Sequence, residues 1–214
     1  MKIINDELGK QAYKKVRGMI LSKRLQPGQK IVQDKLAEEL GISRTPLRSA
    51  LQMLEAEYLI EAAPRKGVRV KAFTNQEIIE IYDCRIALEG TAIRLFTQRA
   101  TSSDIQKLNK LFDPFQNNTN KIDSVLYQKA DSQFHNTIIK KCGNGFLTKL
   151  FQQGNLLVCI ELIGLVRPAK ETLPEHIAII SAVEERNVDL AERLSKDHLD
   201  KSKQLIIRKV KDEG

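Results

Sequence analysis

Apolar residues recur at helical spacing in two neighbouring segments near the N-terminus. The first segment carries its apolar residues on a single stripe, namely Leu36, Ala37 and Leu40. Gly41 is expected to end this helix, because glycine is favoured where a helix stops. Ser43 is a good N-cap residue for the second helix, whose first turn can accept Pro46. The pattern therefore predicts two helices joined by a tight turn.

The second helix is amphipathic, and its two faces differ in chemistry. The apolar face repeats at the helical period and carries Leu47, Ala50, Leu51 and Leu54. The opposite face carries Arg44, Thr45, Arg48 and Gln52. Arg44 and Arg48 are four residues apart, so both project from the N-terminal half, where a recognition helix meets bases and phosphates. We therefore predict that Arg44, Thr45 and Arg48 contact DNA. A solvated charged face is the alternative interpretation, and two arginines alone would favour it.

A predicted β-hairpin after the helix pair favours the DNA-binding interpretation. Residues 58–63 and 68–72 have strand patterns, and the sequence PRKG between them predicts a turn. A hairpin that follows a helix-turn-helix is a wing. Its tip carries the cations Arg65 and Lys66 beside Gly67, which is small enough to let the backbone approach a phosphate or the minor groove. The N-terminal region is thus predicted to bind double-stranded DNA.

Three segments of this region resemble the winged-helix domain of the GntR family of bacterial transcriptional regulators. They are PGQKI, LAEELGISRTPLRSALQMLEAE and RKGVRV. The resemblance covers residues 9–72, and SRTPLRSAL is its most characteristic segment. The chain departs from the family pattern in two places. Gln33 and Asp34 replace a frequent Glu-Arg pair that includes a usual DNA contact, and Tyr58 replaces a frequent glycine.

Charge divides the 214-residue chain into two unequal parts. Residues 1–72 contain 15 Lys and Arg against 8 Asp and Glu, and residues 73–214 contain 20 against 19. The net charges are therefore +7 and +1. A basic DNA-binding domain over residues 1–72, joined to a near-neutral domain with another task, would show this division.

Cysteine usage and hydropathy indicate a cytoplasmic protein without membrane contact. The three cysteines are widely spaced and include no Cys-x-x-Cys pair, which favours neither a disulfide framework nor a zinc ribbon. The N-terminal sequence MKIINDELGK has no apolar signal region. The most apolar run, residues 156–166, is too short to span a bilayer and contains Glu161.

From Thr74 onward the pattern is helical throughout. Thr74 and Glu77 predict a capping box for a helix to about residue 98, and Thr101 with Asp104 indicates another start. Further amphipathic stretches span residues 121–142, 145–166, 174–186 and 188–211, with breaks at Gly143-Asn144-Gly145, Pro168, Pro174 and Asn187. The expected fold is mostly α: a winged helix-turn-helix with a small hairpin wing, then an all-α six-helix bundle over residues 73–214.

All three histidines of the chain lie in the second domain. Asp131 and His135 are four residues apart and can share one helical face, whereas His176 and His198 lie among apolar positions of two later helices. Any one of them alone would more often be a core or helix-end histidine with a hydrogen-bond partner. Together they predict a metal site, because a buried carboxylate is costly unless it is paired or bound to a cation. Nitrogen and oxygen ligands suit Zn, Ni, Mn, Co or Fe.

The spacing of these residues resembles the FCD effector domain of the FadR subfamily. It runs Asp-x-x-Phe-His at 131–135, Glu-His-x-x-Ile-x-x-Ala at 175–182, and then His198. The resemblance implies that Asp131 and the three histidines coordinate an ion, and that a small organic acid binds with a carboxylate oxygen on that metal. The length of about 140 residues is similar to the six-helix VanR branch.

Arg85 and Glu89 also fit the family pattern, as does Asn144. Arg85 is a candidate for a second contact to the effector, since a guanidinium can grip a carboxylate through two parallel bonds. An ion pair with Glu89 along the helix is the alternative.

The leading functional hypothesis is a homodimeric repressor that binds a palindromic operator and responds to a small organic acid. Two alternatives remain at this stage. One is a direct metal sensor, in which the ion itself is the signal. The other is a metalloenzyme with a DNA-binding appendage, which is disfavoured because all three histidines are used as ligands and no base is clearly placed.

Overall fold

A computed structural model describes residues 2–63, 67–116 and 122–212. The chain forms two compact units, Met1–Ala72 and Phe73–Gly214. Each unit has its own elements and its own buried residues, so each is described by itself.

The N-terminal unit combines three helices with a small antiparallel sheet. Its elements are α1 (Lys2–Leu21), β1 (Lys30–Ile31), α2 (Gln33–Leu40), α3 (Arg44–Ala56), β2 (Ile60–Ala63) and β3 (Gly67–Val70). The strand order is β1-β3-β2. The predicted hairpin is confirmed, with Ile60 opposite Val70 and Ala63 opposite Gly67. Tyr58 precedes the strand because its φ of 58° is not extended. The two-residue strand β1 was too short to predict from a pattern.

Gly41 ends α2 in the left-handed conformation that the sequence suggests, with φ +66°. Its N–H donates to the Glu38 carbonyl at 3.0 Å, and the Ile42 N–H donates to the Ala37 carbonyl at 3.0 Å. These bonds satisfy carbonyls at the helix end. Ser43 occupies the N-cap of α3, although its side chain makes no capping hydrogen bond. The turn is therefore held mainly by backbone geometry at Gly41.

We expect Gly41→Ala to lower the free energy of unfolding by roughly 1–2 kcal/mol, because an L side chain is strained in the left-handed region. Gly18→Ala is the matched control. Gly18 lies inside α1, and a Cβ there would meet nothing within 4 Å. Alanine at that position should stabilise the helix by about 0.5–1 kcal/mol. Urea unfolding followed by circular dichroism would measure both changes, and equal effects of the same sign would contradict this account of the turn.

The C-terminal unit is entirely helical over its described residues. Its helices are α4 (Asn75–Arg99), α5 (Ser102–Gln116), α6 (Ser124–Lys141), α7 (Gly145–Gln153), α8 (Leu156–Ile163), α9 (Ala169–Glu184) and α10 (Val188–Asp212). The predicted capping box of α4 is confirmed, with reciprocal bonds between Thr74 and Glu77. Thr101 and Asp104 make the same pair of bonds at the start of α5.

Two details of the predicted bundle were wrong. The stretch 145–166 is two helices rather than one, so the described part of the unit has seven helices and the helix count does not support a six-helix branch. The chain turns at Gly154 and Asn155, and Asn155 has a φ of 50°, which interrupts the helix. Pro174 does not begin a helix but lies inside α9, where it removes one backbone hydrogen bond early in the helix.

Aromatic side chains fill the centre of the helical unit. The largest fully buried residues there are Phe96, Phe112, Tyr127, Phe134 and Phe151. Phe112 contacts both Tyr127 and Phe134, with ring centroids 5.9 and 5.7 Å apart. This aromatic cluster also packs on a histidine, since the Phe112 ring stacks on His176 at 4.6 Å. The core therefore reaches directly to the polar residues of the candidate site.

Candidate functional site

Three helices bring the four predicted metal ligands together. Asp131 and His135 lie on α6, His176 on α9 and His198 on α10. One ligand atom from each of the four side chains can be chosen so that all lie within 4.8 Å of one another. The three histidines are buried and Asp131 is partly buried. The site is thus a closed cluster inside the helical unit.

Each histidine makes a hydrogen bond through its outward-facing Nδ1 atom. Nδ1 of His135 lies 2.5 Å from Oε2 of Glu89, and Nδ1 of His198 lies 2.8 Å from Oε2 of Glu175. A carboxylate only accepts, so in both rings Nδ1 carries the proton. The Nε2 atom of each neutral ring is then left with a lone pair that faces the cluster.

A chain of hydroxyl groups fixes the proton of His176 in the same way. Nδ1 of His176 lies 3.0 Å from the Tyr127 hydroxyl, which lies 2.8 Å from the Thr172 hydroxyl. Thr172 donates to the Ala169 carbonyl at 3.5 Å. This chain suits the tautomer in which Nδ1 of His176 donates to Tyr127 and each hydroxyl donates onward. In that tautomer His176 also presents a bare Nε2 atom.

The inward-facing atoms of the cluster are all acceptors. Oδ1 of Asp131 lies 3.3 Å from Nε2 of His176 and 3.8 Å from Nε2 of His135. Nε2 of His176 is buried and has no hydrogen-bond partner among the described residues. Burial, reinforced by the neighbouring His198 and His135, lowers the pKa of His176 well below its usual range, so a proton is a poor occupant. The donor set fits a divalent transition metal, whose ligands must be deprotonated.

The two outer carboxylates are held in their ionised form. Burial alone would raise the pKa of Glu89, but the charge of Arg85 and the hydrogen bonds from His135 and Arg85 outweigh it and lower the value to about 2. Burial also acts to raise the pKa of Glu175, and hydrogen bonds from His198, Arg167 and Lys201 lower it well below its usual range. Both groups therefore remain acceptors for the histidines at neutral pH.

A small polar cavity opens beside the cluster. Its lining includes Tyr82, Arg85, Asp131, His135, Arg167, Thr172, His198 and Ser202. The volume open to a water-sized occupant is about 20 Å³, which suffices for one such group. The described state of the protein therefore holds only a small occupant at this position.

Arg85 forms the ion pair that the sequence suggested as the alternative, and it also lines the cavity. Its Nε atom donates to Oε1 of Glu89 at 2.6 Å, so the ion pair along the helix is present. Its Nη2 atom is buried and has no hydrogen-bond partner among the described residues, although the side chain lines the cavity. An unpaired buried N–H group is costly, and an anion would satisfy it.

Sequence reasoning missed two side chains that organise the cluster. Tyr127 lies four residues before Asp131 on α6, and its apolar surroundings read as ordinary core. Arg167 lies in the segment between α8 and α9, where no periodicity indicates which way a side chain points. Glu175 appeared only as part of a motif. Its position next to His176 was a signal that a carboxylate accompanies the ligands.

The predicted DNA-contacting residues of α3 are exposed together. Arg44, Thr45 and Arg48 are exposed, whereas the apolar face of α3 is buried. Arg44 pairs with Asp34 at 2.6 Å, and both side chains are mostly exposed, so this pair contributes little stability. Gly67 is exposed at the start of β3 with φ +86°. The other two predicted wing-tip residues, Arg65 and Lys66, lie outside the described residues.

A winged helix-turn-helix with an exposed basic helix face, joined to a helical unit with a buried polar site, is the architecture of a two-domain transcriptional regulator. Sequence comparison agrees in both units. Residues 8–70 match the bacterial regulatory proteins of the gntR family, and residues 80–201 match the FCD domain. The chain therefore belongs to the FCD-domain regulators of the GntR family.

Relatives and solved structures resemble the chain over most of its length. It is 28% identical over 191 residues to the uncharacterized HTH-type transcriptional regulator YdhC of Bacillus subtilis (strain 168), covering 86% of this chain and 84% of that protein. It is 26% identical over 185 residues to the gluconate operon transcriptional repressor of Bacillus licheniformis, covering 82% and 75%. A putative GntR regulator from Rhodococcus sp. RHA1 has the same fold, with a TM-score of 0.78, 21% identity, and coverage of 93% and 97%.

These findings settle the class of protein. The family and its relatives are transcriptional regulators rather than enzymes, so the metalloenzyme alternative is set aside. Among the described residues, no helix is both long enough and apolar enough to cross a membrane.

Proposed function

We propose that this protein is a repressor whose affinity for operator DNA is controlled by a small organic acid bound at a metal ion in the helical unit. The observation that carries the proposal is the orientation of the three histidines. Their Nδ1 atoms are all engaged outside the cluster, so their Nε2 atoms converge beside a carboxylate. Four acceptors without a protein donor between them favour a bound cation.

Asp131, His135, His176 and His198 would hold the ion. The donor set is compatible with Zn, Ni, Mn, Co or Fe. When bound, the metal supplies a Lewis-acidic position that accepts a carboxylate oxygen of the effector. Outer partners fix the ring orientations before any ion arrives, so the protein loses little side-chain freedom on metal binding.

Arg85 is proposed as the second contact to the acid. Its free Nη2 atom lies in the lining of the cavity, where it could donate to a carboxylate oxygen of the ligand. The cavity of about 20 Å³ is too small for an organic acid, so the lining must move when one enters. A ligand that binds the expanded state better than the described one shifts the population toward it. Because the acid would favour the expanded cavity over the described one, its binding could change the conformation of the protein, which supports effector control of operator binding.

Operator binding is assigned to Arg44, Thr45 and Arg48 on α3, with Arg65, Lys66 and Gly67 at the wing. A homodimer would place one recognition helix in each half of a palindromic site. The FCD match supports placement in the FadR subfamily. The relative named for the gluconate operon supports an organic acid as the effector class.

Titration of effector with and without operator DNA would test the gating. Gluconate and a panel of small mono- and dicarboxylic acids serve as probes, with the metal-loaded protein and a saturating operator duplex. We expect operator to weaken effector binding by the same factor by which effector weakens operator binding, about 5- to 150-fold for a typical coupling. The control is Arg48→Ala at an operator concentration that leaves it unbound, which should show one effector affinity throughout. Equal affinities in the unaltered protein would contradict gating.

Direct metal sensing is the second candidate function. It is favoured by the four-residue cluster itself, which offers four ligand atoms without any organic molecule, with His176 and His198 oriented by outer hydrogen bonds. This alternative predicts that chelation changes operator affinity and that added metal restores it with no acid present. The proposed function predicts that the metal-loaded protein responds further when the acid is added.

A further inference from the structure

Arg167 is a buried cation in the segment that connects α8 to α9. Its guanidinium donates to three groups on two helices. Nη1 donates to Oε1 of Glu175 at 3.1 Å, and Nη2 donates to Oε2 of the same carboxylate. Nε donates to the Ser202 hydroxyl at 3.1 Å, and Nη2 also reaches the His198 carbonyl at 3.3 Å. With 8% of its surface exposed, Arg167 links α9 to α10 from a segment that belongs to neither helix.

Glu175 passes this restraint to a candidate metal ligand. Its Oε2 atom accepts from Nδ1 of His198 at 2.8 Å and from Arg167. Its Oε1 atom accepts from Arg167 and from Nζ of Lys201 at 2.8 Å. Two parallel bonds from a planar guanidinium fix the plane of a carboxylate, which one lysine bond cannot do. The orientation of the His198 ring therefore depends on Arg167 through Glu175.

His135 is held by a similar pair of side chains, but the arginine of that pair lies on the same helix as its carboxylate. Arg85 donates to Glu89, and Glu89 accepts from His135. Arg85 and Glu89 lie four residues apart on one helix, so that helix alone keeps them together. Arg167 instead comes from an irregular segment, which can move without unwinding a helix. Of the two arrangements, only the second depends on how the chain between helices is placed.

We propose that Arg167 is a positioning residue for the metal site, which couples the placement of residues 164–168 to metal binding by holding Glu175 against His198. This inference rests on the metal site of the proposed function. Gly164, Leu165, Val166 and Arg167 all line the cavity beside the cluster. In the described placement of the segment, Arg167 orients the carboxylate that in turn orients His198. Metal binding then favours this placement, and the placement strengthens metal binding by the same factor.

Metal affinity in matched variants tests the positioning role. The probes are Zn²⁺ and Co²⁺ in competition with a chromophoric chelator, and the full-length protein is used throughout. We expect Arg167→Ala to weaken Zn²⁺ binding about 10- to 100-fold, the range for an outer-shell partner of a metal ligand. Lys201→Ala is the control, since Lys201 contacts the same carboxylate but is exposed. It should change the affinity less than about threefold.

Four further measurements separate positioning from a loss of structure. Arg167→Lys keeps the positive charge but cannot make two parallel hydrogen bonds to Glu175, so its affinity for Zn²⁺ should be intermediate. In a double-mutant cycle, Arg167→Ala and Glu175→Gln should be strongly non-additive if one acts through the other. The visible spectrum of bound Co²⁺ should change in Arg167→Ala and not in Lys201→Ala. Hydrogen exchange at residues 164–167 should slow on Zn²⁺ binding in the unaltered protein and not in Arg167→Ala.

The outcomes distinguish this inference from the proposed function. If the unaltered protein binds neither Zn²⁺ nor Co²⁺, both the metal site and the role of Arg167 are overturned. If it binds metal and Arg167→Ala binds equally well, only the role of Arg167 is overturned. The same conclusion follows if Lys201→Ala has an equal effect, or if the effects of Arg167→Ala and Glu175→Gln simply add. A circular dichroism spectrum and a thermal midpoint for each variant identify any loss of fold.

Discussion

Replacement of His176 by alanine is expected to lower affinity for Zn²⁺ by more than about 100-fold, a larger loss than an outer-shell change produces. His176 is fully buried, and its Nε2 atom is the acceptor of the cluster that has no other partner among the described residues. The measurement is metal content after dialysis, together with chelator competition. Operator binding by the metal-free variant should match that of the metal-free unaltered protein, because the predicted DNA contacts belong to the other unit.

Two companion variants separate loss of a ligand from loss of packing. His176→Gln keeps a polar side chain of similar size and should also lose metal. Phe112→Leu removes the ring that stacks on His176 at 4.6 Å but leaves the ligand in place. It should destabilise the fold by less than the roughly 3–5 kcal/mol typical of a Phe→Ala truncation and retain full metal stoichiometry. Unaltered metal content in both His176 variants would make that histidine an ordinary core residue.

Replacement of Arg48 by alanine is expected to weaken operator binding by about 1–3 kcal/mol, or roughly 5- to 150-fold. Arg48 is exposed on the polar face of α3, directed away from the buried apolar face. We expect an effect smaller by at most about 1 kcal/mol from Arg44→Ala, because DNA must compete with the exposed pair between Arg44 and Asp34. Fluorescence anisotropy with a labelled operator duplex would measure both affinities.

The same experiment shows what Arg48 contacts. If Arg48 reads a base edge, the variant should lose discrimination at one base pair. If it contacts only a phosphate, binding should weaken evenly across sequences and the salt dependence should fall by about one counterion. Arg24→Ala is a matched control, since Arg24 is an exposed arginine of the same unit that pairs with Glu39 and lies outside α3. Unchanged operator affinity in Arg48→Ala would contradict the assigned recognition face.

The predictable part of the fold consists of features encoded by local geometry. Gly41 ends α2 and Thr74 caps α4 because backbone conformation and side-chain capping depend on residues a few positions apart. The break at Asn155 was not predictable in this way. Residues 156–163 are strongly apolar, so the periodic pattern appeared continuous across it. Pro174 was misleading for a related reason, since packing within α9 outweighs the hydrogen bond that proline removes.

The candidate site also has a part that the sequence could predict and a part that it could not. Asp131 and His135 are spaced by one helical turn, so their proximity could be expected, and the convergence of His176 and His198 followed from their apolar surroundings. What could not be predicted was the set of outer partners. Arg167 reaches Glu175 from an irregular segment, and Tyr127 reaches His176 from another helix. Such contacts depend on how helices pack, which a spacing within one helix does not encode.

The capping box at the start of α4 has a consequence for signalling. Only Phe73 and Thr74 separate the N-terminal unit from the first residue of α4. Arg85 lies ten residues further along the helix, about 15 Å away at the usual rise per residue. The bonds between Thr74 and Glu77 oppose fraying of the first turn of α4. If an effector binds at Arg85 as proposed, a displacement there would be carried by a stiff helix to the chain that leads to the DNA-binding unit.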